Sequence, residues 1–340
     1  MPFGFNAPRL GIDLGTVNVV VNRIGQGITI NEPSVVAVSM DRRIQAIGHA
    51  AHAMVGRTPG SLRIIRPMQD GVIADYLVTE AMLRYFIDRS CGRIRLVRPE
   101  IMVAVPSGVT TVERRAVLDA GLAAGARRVH LIPESLAAAI GAQVPVSEPS
   151  GSMIVNVGGG TTEISVISLN DVVADCSTSS RVGGNRIDDA IAAYIRRKYN
   201  LMVGDHTAEQ IKIGIGSAIV LSPAETMEVR GRDQVQGLPR TVTVTSDEVT
   251  EAITEPLSQI VRGVRMVLES TPPELSADII DKGIVMSGGT SLLRNLDQLL
   301  SQEIGIAVHV ADQPLMCVAL GCGIAIEHTD VLQKALTSSP

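Results

Sequence analysis

Short apolar runs broken by single polar residues and glycine turns recur along the chain, and two of them match. Leu10–Val21 reads LGIDLGTVNVVV, and Met153–Ile167 reads MIVNVGGGTTEISVI. Each has an apolar strand, a polar residue (Asp13 or Asn156), a glycine turn, then a second β-rich strand. The pattern predicts a β-hairpin whose turn needs glycine, because backbone must approach something closely or adopt positive φ. Either hairpin alone reads as an ordinary turn. Finding the device twice predicts a duplicated, two-lobed fold. Between them, Ile101–Pro106 is a buried-strand run, Val112–Ala124 has helical spacing after Thr110 and Thr111, Val129–Ile132 is a strand and Ser135–Gln143 an Ala-rich helix. Pro145–Ser152, rich in Pro, Ser and Gly, is expected to be a hinge between halves.

The second half continues with helices over Asp188–Tyr199 and Thr207–Gly214. A strand-rich patch, Met227–Val244, interrupted by Gly231, Gly237 and Pro239, predicts a small inserted sheet. A long helix starts near Thr245, where Glu248 completes a capping box, and runs to about Glu269. Ile284–Ser287 is a strand ending in glycines, and Leu292–Ile304 a helix. Val318–Glu327 is a Gly-containing helix expected to return to the first half. Strands alternating with helices indicate α/β layers.

Composition narrows the classes. The 340 residues suit two domains rather than one core, and 45% hydrophobic with 19% charged residues describes a folded chain. A net charge of -5 argues against general affinity for nucleic acid, and three Phe, four Tyr and no Trp leave little to stack on bases. Cys91, Cys176, Cys317 and Cys322 form no C-x-x-C pair and have no His at zinc spacing, so they read as small apolar groups in a reducing cytosol. Met1–Pro8 lacks a charged start and a long apolar run, so no signal peptide is expected. No run of about 18 apolar residues occurs, so the expectation is a soluble protein able to touch a membrane surface.

The glycines supply the candidate chemistry. Phosphate is bound by backbone N–H groups that no side chain obstructs, so Gly15–Thr16 and Gly158–Gly159–Gly160–Thr161 are suited to gripping phosphates from two sides. Asp13, at the end of its strand, is placed to hold a hydrated Mg²⁺. Gly183–Gly184–Asn185 with Asp188 opens a helix, and Ser287–Gly288–Gly289–Thr290–Ser291 joins a strand to a helix. Both are places for ribose, adenine or phosphate contact. Glu209 and Lys212 form an (i, i+3) charged pair, which taken alone is a solvated surface ion pair.

At these residues the chain resembles the MreB family of bacterial actin homologues, over essentially its full length. The stretches are IDLGT (12–16), NEPSVVAV (31–38), IRPMQDGVIADY (65–76), VERRAVLDAG (112–121), AAAIGA (137–142), GGGTTEISVIS (158–168), GLPR (237–240) and TPPEL (271–275). The hairpin motifs are shared by actins, sugar kinases and heat-shock chaperones; IRPMQDGVIADY and TPPEL are narrower. The resemblance implies an actin-like α/β fold of two lobes, each with a small subdomain, around a nucleotide cleft. The first lobe would span 1–146 (core 1–32 and 66–146, small subdomain about 33–65). The second would span 147–316 (core 147–180 and 245–316, small subdomain about 181–244), with helices in 317–340 returning to the first. It further implies ATP and Mg²⁺ in the cleft, and head-to-tail polymerisation into paired protofilaments beneath the cytoplasmic membrane. There the filaments would work with wall-synthesis membrane proteins to maintain rod shape. Residue by residue, Asp13, Gly15, Thr16, Val17 and Asn18 match the first phosphate loop, and Gly158, Gly159, Gly160 and Thr161 the second. Gly183, Gly184 and Asp188 fall in the helix-opening loop; Glu209, Gln210, Ile211 and Lys212 match the base-contacting helix. Gly288, Gly289, Thr290 and Ser291 match the second nucleotide loop, and Glu134 the carboxylate that orients the attacking water.

The chain departs from that family at four places. Glu-Glu-Pro is replaced by Pro133-Glu134-Ser135, which keeps the carboxylate; a first-turn glutamate is also favoured by the helix dipole alone. Asn156 stands where the family has aspartate. It keeps the shape and one acceptor but cannot act as a base and is a poorer metal partner. Losing a positioned proton acceptor costs on the order of 10²–10⁴ in rate, so at most a slow ATPase coupled to polymerisation is expected, with nucleotide binding less affected. Gly214 replaces a glutamate and Thr290 a third glycine.

Arg93-Ile94-Arg95-Leu96-Val97-Arg98 alternates basic and apolar residues at the place of the family's membrane-inserting loop. Ile94 and Leu96 would dip into the interface while arginines meet anionic headgroups; an edge strand with one wet face fits the pattern equally. Phe3 and Phe5 could add a weak anchor. The competing classes are a small-molecule kinase of the same superfold, a chaperone ATPase, and a non-hydrolysing nucleotide-binding paralogue that copolymerises. The kinase would need an aspartate base that Asn156 does not supply, and the chaperone a further substrate domain.

Overall fold

In a computed structural model of the chain, the described residues are 7–57, 60–92 and 97–339. Ile94 and Leu96, expected at a membrane, lie outside them, as do Phe3 and Phe5.

The predicted first hairpin is β1 (Arg9–Leu14) with β2 (Asn18–Arg23), and β3 (Gly27–Pro33) pairs antiparallel to β2. The chain then leaves for a small sheet of β4 (Val36–Ser39), β5 (Ile44–Ile47) and β6 (Leu62–Ile65), with the one-turn helix α1 (His49–His52) after β5. A ribbon, β7 (Met68–Gln69) and β8 (Val72–Ile73), leads into α2 (Tyr76–Cys91). Asp75 caps α2 by accepting the Val78 N–H, and Val78, Met82, Leu83, Phe86 and Ile87 make its buried stripe. β9 (Glu100–Val105) joins β1 in parallel, and β10 (Arg128–Pro133) joins β9 across α3 (Thr111–Ala123). α4 (Glu134–Gly141) follows directly from β10.

The second half repeats this plan. β11 (Ser152–Val157), β12 (Thr162–Ser168) and β13 (Asp171–Ser180) form a meander. α5 (Gly184–Tyr199), β14 (Leu201–Met202), α6 (Asp205–Ile215), β15 (Thr226–Asp233) and β16 (Pro239–Thr245) build the predicted insertion, whose sheet runs β14-β15-β16. α7 (Ser246–Ser270) starts at the predicted Thr245–Glu248 capping box, and α8 (Pro273–Lys282) follows with proline in its first turn. β17 (Ile284–Ser287) and β18 (Val308–Val310), linked by a 3₁₀ turn (Gly289–Leu292) and α9 (Leu296–Ile304), extend the sheet in parallel. α10 (Cys317–Ala325) and β19 (Thr337–Ser338) end the chain, β19 pairing with β10.

The two large sheets have one topology: β3-β2-β1-β9-β10 in the first half, β13-β12-β11-β17-β18 in the second. The duplication inferred from two hairpins thus extends to five strands each. Each half has its own apolar core, and a third cluster joins them, bringing Met102, Ile132 and Leu136 against Ile154, Val318 and Cys322. There α10 returns to the first half and crosses α4 at backbone distance. A Cβ on Gly321 would overlap the Ala137 carbonyl, and one on Gly141 the Cys317 carbonyl.

Three expectations change in detail. α5 starts at Gly184, so the Gly183–Asn185 loop is itself the helix start. The helix expected from Leu292 begins at Leu296, because the 3₁₀ turn intervenes. The expected hinge is tied down: the Leu169 and Asn170 amides donate to the Glu148 and Val146 carbonyls, and the Gly151 amide to Asp278 Oδ2 at 2.7 Å.

Candidate nucleotide cleft

Equivalent positions of the duplicated sheets face one another across a cleft of about 410 Å³. Asp13 is the second-last residue of β1 and Asn156 the second-last of β11; both line it. The turns beyond them touch. A Cβ on Gly160 would come within 2.6 Å of Thr16 Oγ1, and one on Gly159 would overlap Val17, so glycine is required where the loops meet. The first turn is braced by the Gly71 N–H, donating to Thr16 Oγ1 at 3.1 Å. The second is closed by the Gly158 N–H to the Thr161 carbonyl at 2.8 Å. Thr290 donates to the Gly158 carbonyl at 2.8 Å and so stitches the third glycine loop to the second hairpin.

Most predicted residues line the cleft: Gly15, Thr16, Val17, Asn18, Gly158, Gly159, Gly160, Thr161, Gly184, Glu209, Lys212, Gly288, Gly289 and Thr290. Others sit behind it. Gly183 is buried against the Gly158–Gly159 backbone, and Ser291 is buried, donating to the Gly288 carbonyl. Ile211 is fully buried in the core and Gln210 exposed elsewhere, because helix periodicity turns only Glu209, Lys212 and Ile213 of that stretch towards the opening. Lys212 does not pair with Glu209. It donates to Asp188 Oδ2 at 2.9 Å and to the Gly184 carbonyl at 3.3 Å, with Asp188 Oδ1 at ion-pair distance but without a hydrogen bond. Burial pushes the Asp188 carboxyl up to about 6 in spite of Lys212.

Asn156 is 2% exposed, and both ends of its amide are used. Nδ2 donates to Glu134 Oε1 at 2.8 Å, and Oδ1 accepts from Ser287 Oγ at 2.9 Å. Glu134, the first residue of α4, thereby has a neutral donor where a family aspartate would present a second anion. Its carboxyl is held well above the usual range by burial, then by Glu163 and Asp13. Asp13 is pushed up to about 7 by burial, and its carboxylate makes no hydrogen bond or ion pair among the described residues. A desolvated, unpartnered carboxyl beside the glycine-turn amides fits a hydrated divalent cation, whose charge would take the place of the missing partner.

The motifs did not single out Glu163, and it is fully buried. It stands opposite Asn156 on β12, where the first hairpin has Val20 opposite Asp13. Ser179 donates to it, as does the Ser107 amide from the first half at 3.0 Å, so one carboxyl links both halves; burial raises its pKa. Asn185, from the predicted helix-opening loop, lines the cleft too, as do Gly216, Arg294, Pro314 and Leu315, which were not predicted as ligands. Gly214 leaves room for a side chain, and its carbonyl accepts from Arg294 at 2.5 Å.

Two duplicated sheets with glycine turns meeting over buried carboxylates define a protein of the actin-like class. A family model described as MreB/Mbl protein matches residues 7–334, and the chain belongs to that family. It is 52% identical over 334 residues to the cell shape-determining protein MreB of Escherichia coli (strain K12), covering 96% of each. It is 47% identical to Mbl of Bacillus subtilis (strain 168), covering 96% of this chain and 98% of that one. MreB5 of Spiroplasma citri bound to ADP superposes with a TM-score of 0.90 at 37% identity, over 97% of this chain and 98% of that one. A MamK double helical filament subunit, at 21% identity and a TM-score of 0.82, covers 95% of this chain and 99% of that one and shares the fold.

Proposed function

We propose that this chain is an actin-like cytoskeletal subunit that binds ATP with Mg²⁺ in the cleft and polymerises into membrane-associated filaments organising wall synthesis and rod shape. The observation that carries this reading is the meeting of three glycine loops around Asp13 and Asn156. The Spiroplasma citri MreB5 structures with ADP and with AMPPNP, both at a TM-score of 0.90, support a nucleotide there. The relatives' names as cell shape-determining proteins support the cellular role.

In this reading, backbone amides of the two hairpin turns and of Gly288–Gly289 hold phosphate, and Asp13 holds the cation's water shell. The cation supplies charge neutralisation when bound. Asn156 orients Glu134 but takes no proton, and Glu134 gives up its own proton reluctantly, so the site is built to retain nucleotide and turn it over slowly. Ile94 and Leu96, directly beyond α2, would contact the inner face of the cytoplasmic membrane. The lobe boundaries implied by the resemblance are part of this reading, and the two large sheets and their insertions support them.

Sedimentation with ATP, GTP and a non-hydrolysable ATP analogue, with filaments viewed by electron microscopy, tests the reading. Pelleting with ATP and with the analogue is expected; phosphorylation of a small molecule without filaments would place the chain among kinases instead. Liposome flotation of an Ile94→Ser, Leu96→Ser variant tests the membrane contact, with loss of flotation expected.

A further inference from the structure

The halves also meet away from the phosphate loops. His52 ends α1, beside the small sheet of the first half, and His206 lies in the first turn of α6 in the second. Their rings stand edge to face, with centroids 6.2 Å apart and planes at 80°. His206 shares a helical stripe with Glu209 and Ile213, three and seven residues on, and both of these line the cleft. The imidazole contact therefore continues the cleft-facing stripe outward, one turn beyond the cavity.

We propose that His52 and His206 form a pH-sensitive clasp across the mouth of the cleft, holding the small subdomains together at neutral pH and releasing them on acidification. Two neutral rings edge to face attract, and one proton adds a cation–π attraction. A second proton places two like charges in contact, which opposes closure. Imidazole is the side chain that ordinarily changes charge between pH 5 and 8. The repulsion is present at low pH and absent at high pH.

On α6 itself Asp205 and Glu209 flank His206 and make no ion pair among the described residues, whereas the charges on neighbouring elements are engaged or exposed. His49 lies one turn before His52, and Asp205 is next to His206. Of the strands against α1, β3 brings Glu32, which pairs with Arg89 and accepts the His49 amide, while β4 and β5 carry no charge. Of the elements against α6, α5 brings Asp188, paired with Lys212. β15 turns Met227 and Val229 inward and leaves Glu228 and Arg230 exposed. The first turns of α7 bring Glu248, held by Lys198 and Tyr199, and Glu251, held by Tyr194.

The consequence for nucleotide rests on the proposed function; the clasp itself does not. Release of a fluorescent ATP analogue from dilute monomer is to be followed by stopped flow from pH 8 to pH 5.5, for native protein, His52→Gln, His206→Gln and the double variant. Native release is expected to accelerate on acidification about three- to tenfold beyond the change in the variants, with both single variants and the double sharing one common, smaller change. A single variant that keeps the native acceleration, or single effects that add, would overturn the clasp. If no protein binds the analogue at pH 7.5, the nucleotide reading fails, and imidazole NMR then decides the clasp alone. The native pair should titrate over a broader range than the remaining imidazole in either single variant; identical titration curves would refute the contact.

Discussion

Asn156 concentrates the account at the residue scale. Its departure from aspartate is legible in the sequence, but its two partners are not, because Glu134 at a helix start and Ser287 at a strand end reach it from places far apart in the chain. Glu163 escaped notice because a polar residue in an alternating strand reads as solvent-facing, whereas β12 is covered on both faces and buries all of Thr162–Ile167. The three carboxyls make stability pH-dependent. Asp13, Glu134 and Glu163 are all raised in the folded state, so their protons favour folding at low pH, and that contribution is lost as pH rises. For Asp13 the window runs from about 4, the ordinary carboxylate value, to about 7. Thermal melting without nucleotide should therefore fall through this window by several degrees, and Asp13→Asn should flatten part of the slope. A variant as steep as the native protein would remove Asp13 from the explanation.

At the scale of single elements, helices with explicit end signals were readable. The boxes at Thr110–Glu113 and Thr245–Glu248 both form. Thr245→Ala should cost about 1 kcal/mol, a fall of roughly 1–2 °C in melting temperature. α2 was not read, although its buried stripe is regular: Tyr76, Leu77 and Tyr85 are exposed, so apolar residues extend beyond the stripe and blur its period. α8 hides behind two prolines that signal a turn, and one of them starts the helix. The crossing of α4 and α10 depends on glycines whose need appears only once the helices are side by side. Gly321→Ala should force them apart and cost about 1–3 kcal/mol, read as a lower denaturant midpoint with an unchanged slope. An unchanged midpoint would mean the crossing adjusts freely.

At the scale of the whole molecule, two short hairpins disclosed the duplication because each carries a glycine turn that the other half must touch. The five-strand repeat and the cluster joining the halves follow from that symmetry. Less was legible of the cleft's outer wall. Ile213, Arg294 and the adjacent Pro314 and Leu315 come from three separate segments without a shared motif, and only folding brings them together. The proposed consequence is a subunit that closes on nucleotide, assembles, and hydrolyses slowly because Asn156 cannot take a proton. The most direct test follows phosphate release and sedimentation in one ATP-driven assembly reaction, for native protein and Asn156→Asp. Filaments from both are predicted, with native release slower by about 10²-fold or more. Native release as fast as that of Asn156→Asp, or no ATP-dependent sedimentation from either protein, would contradict it.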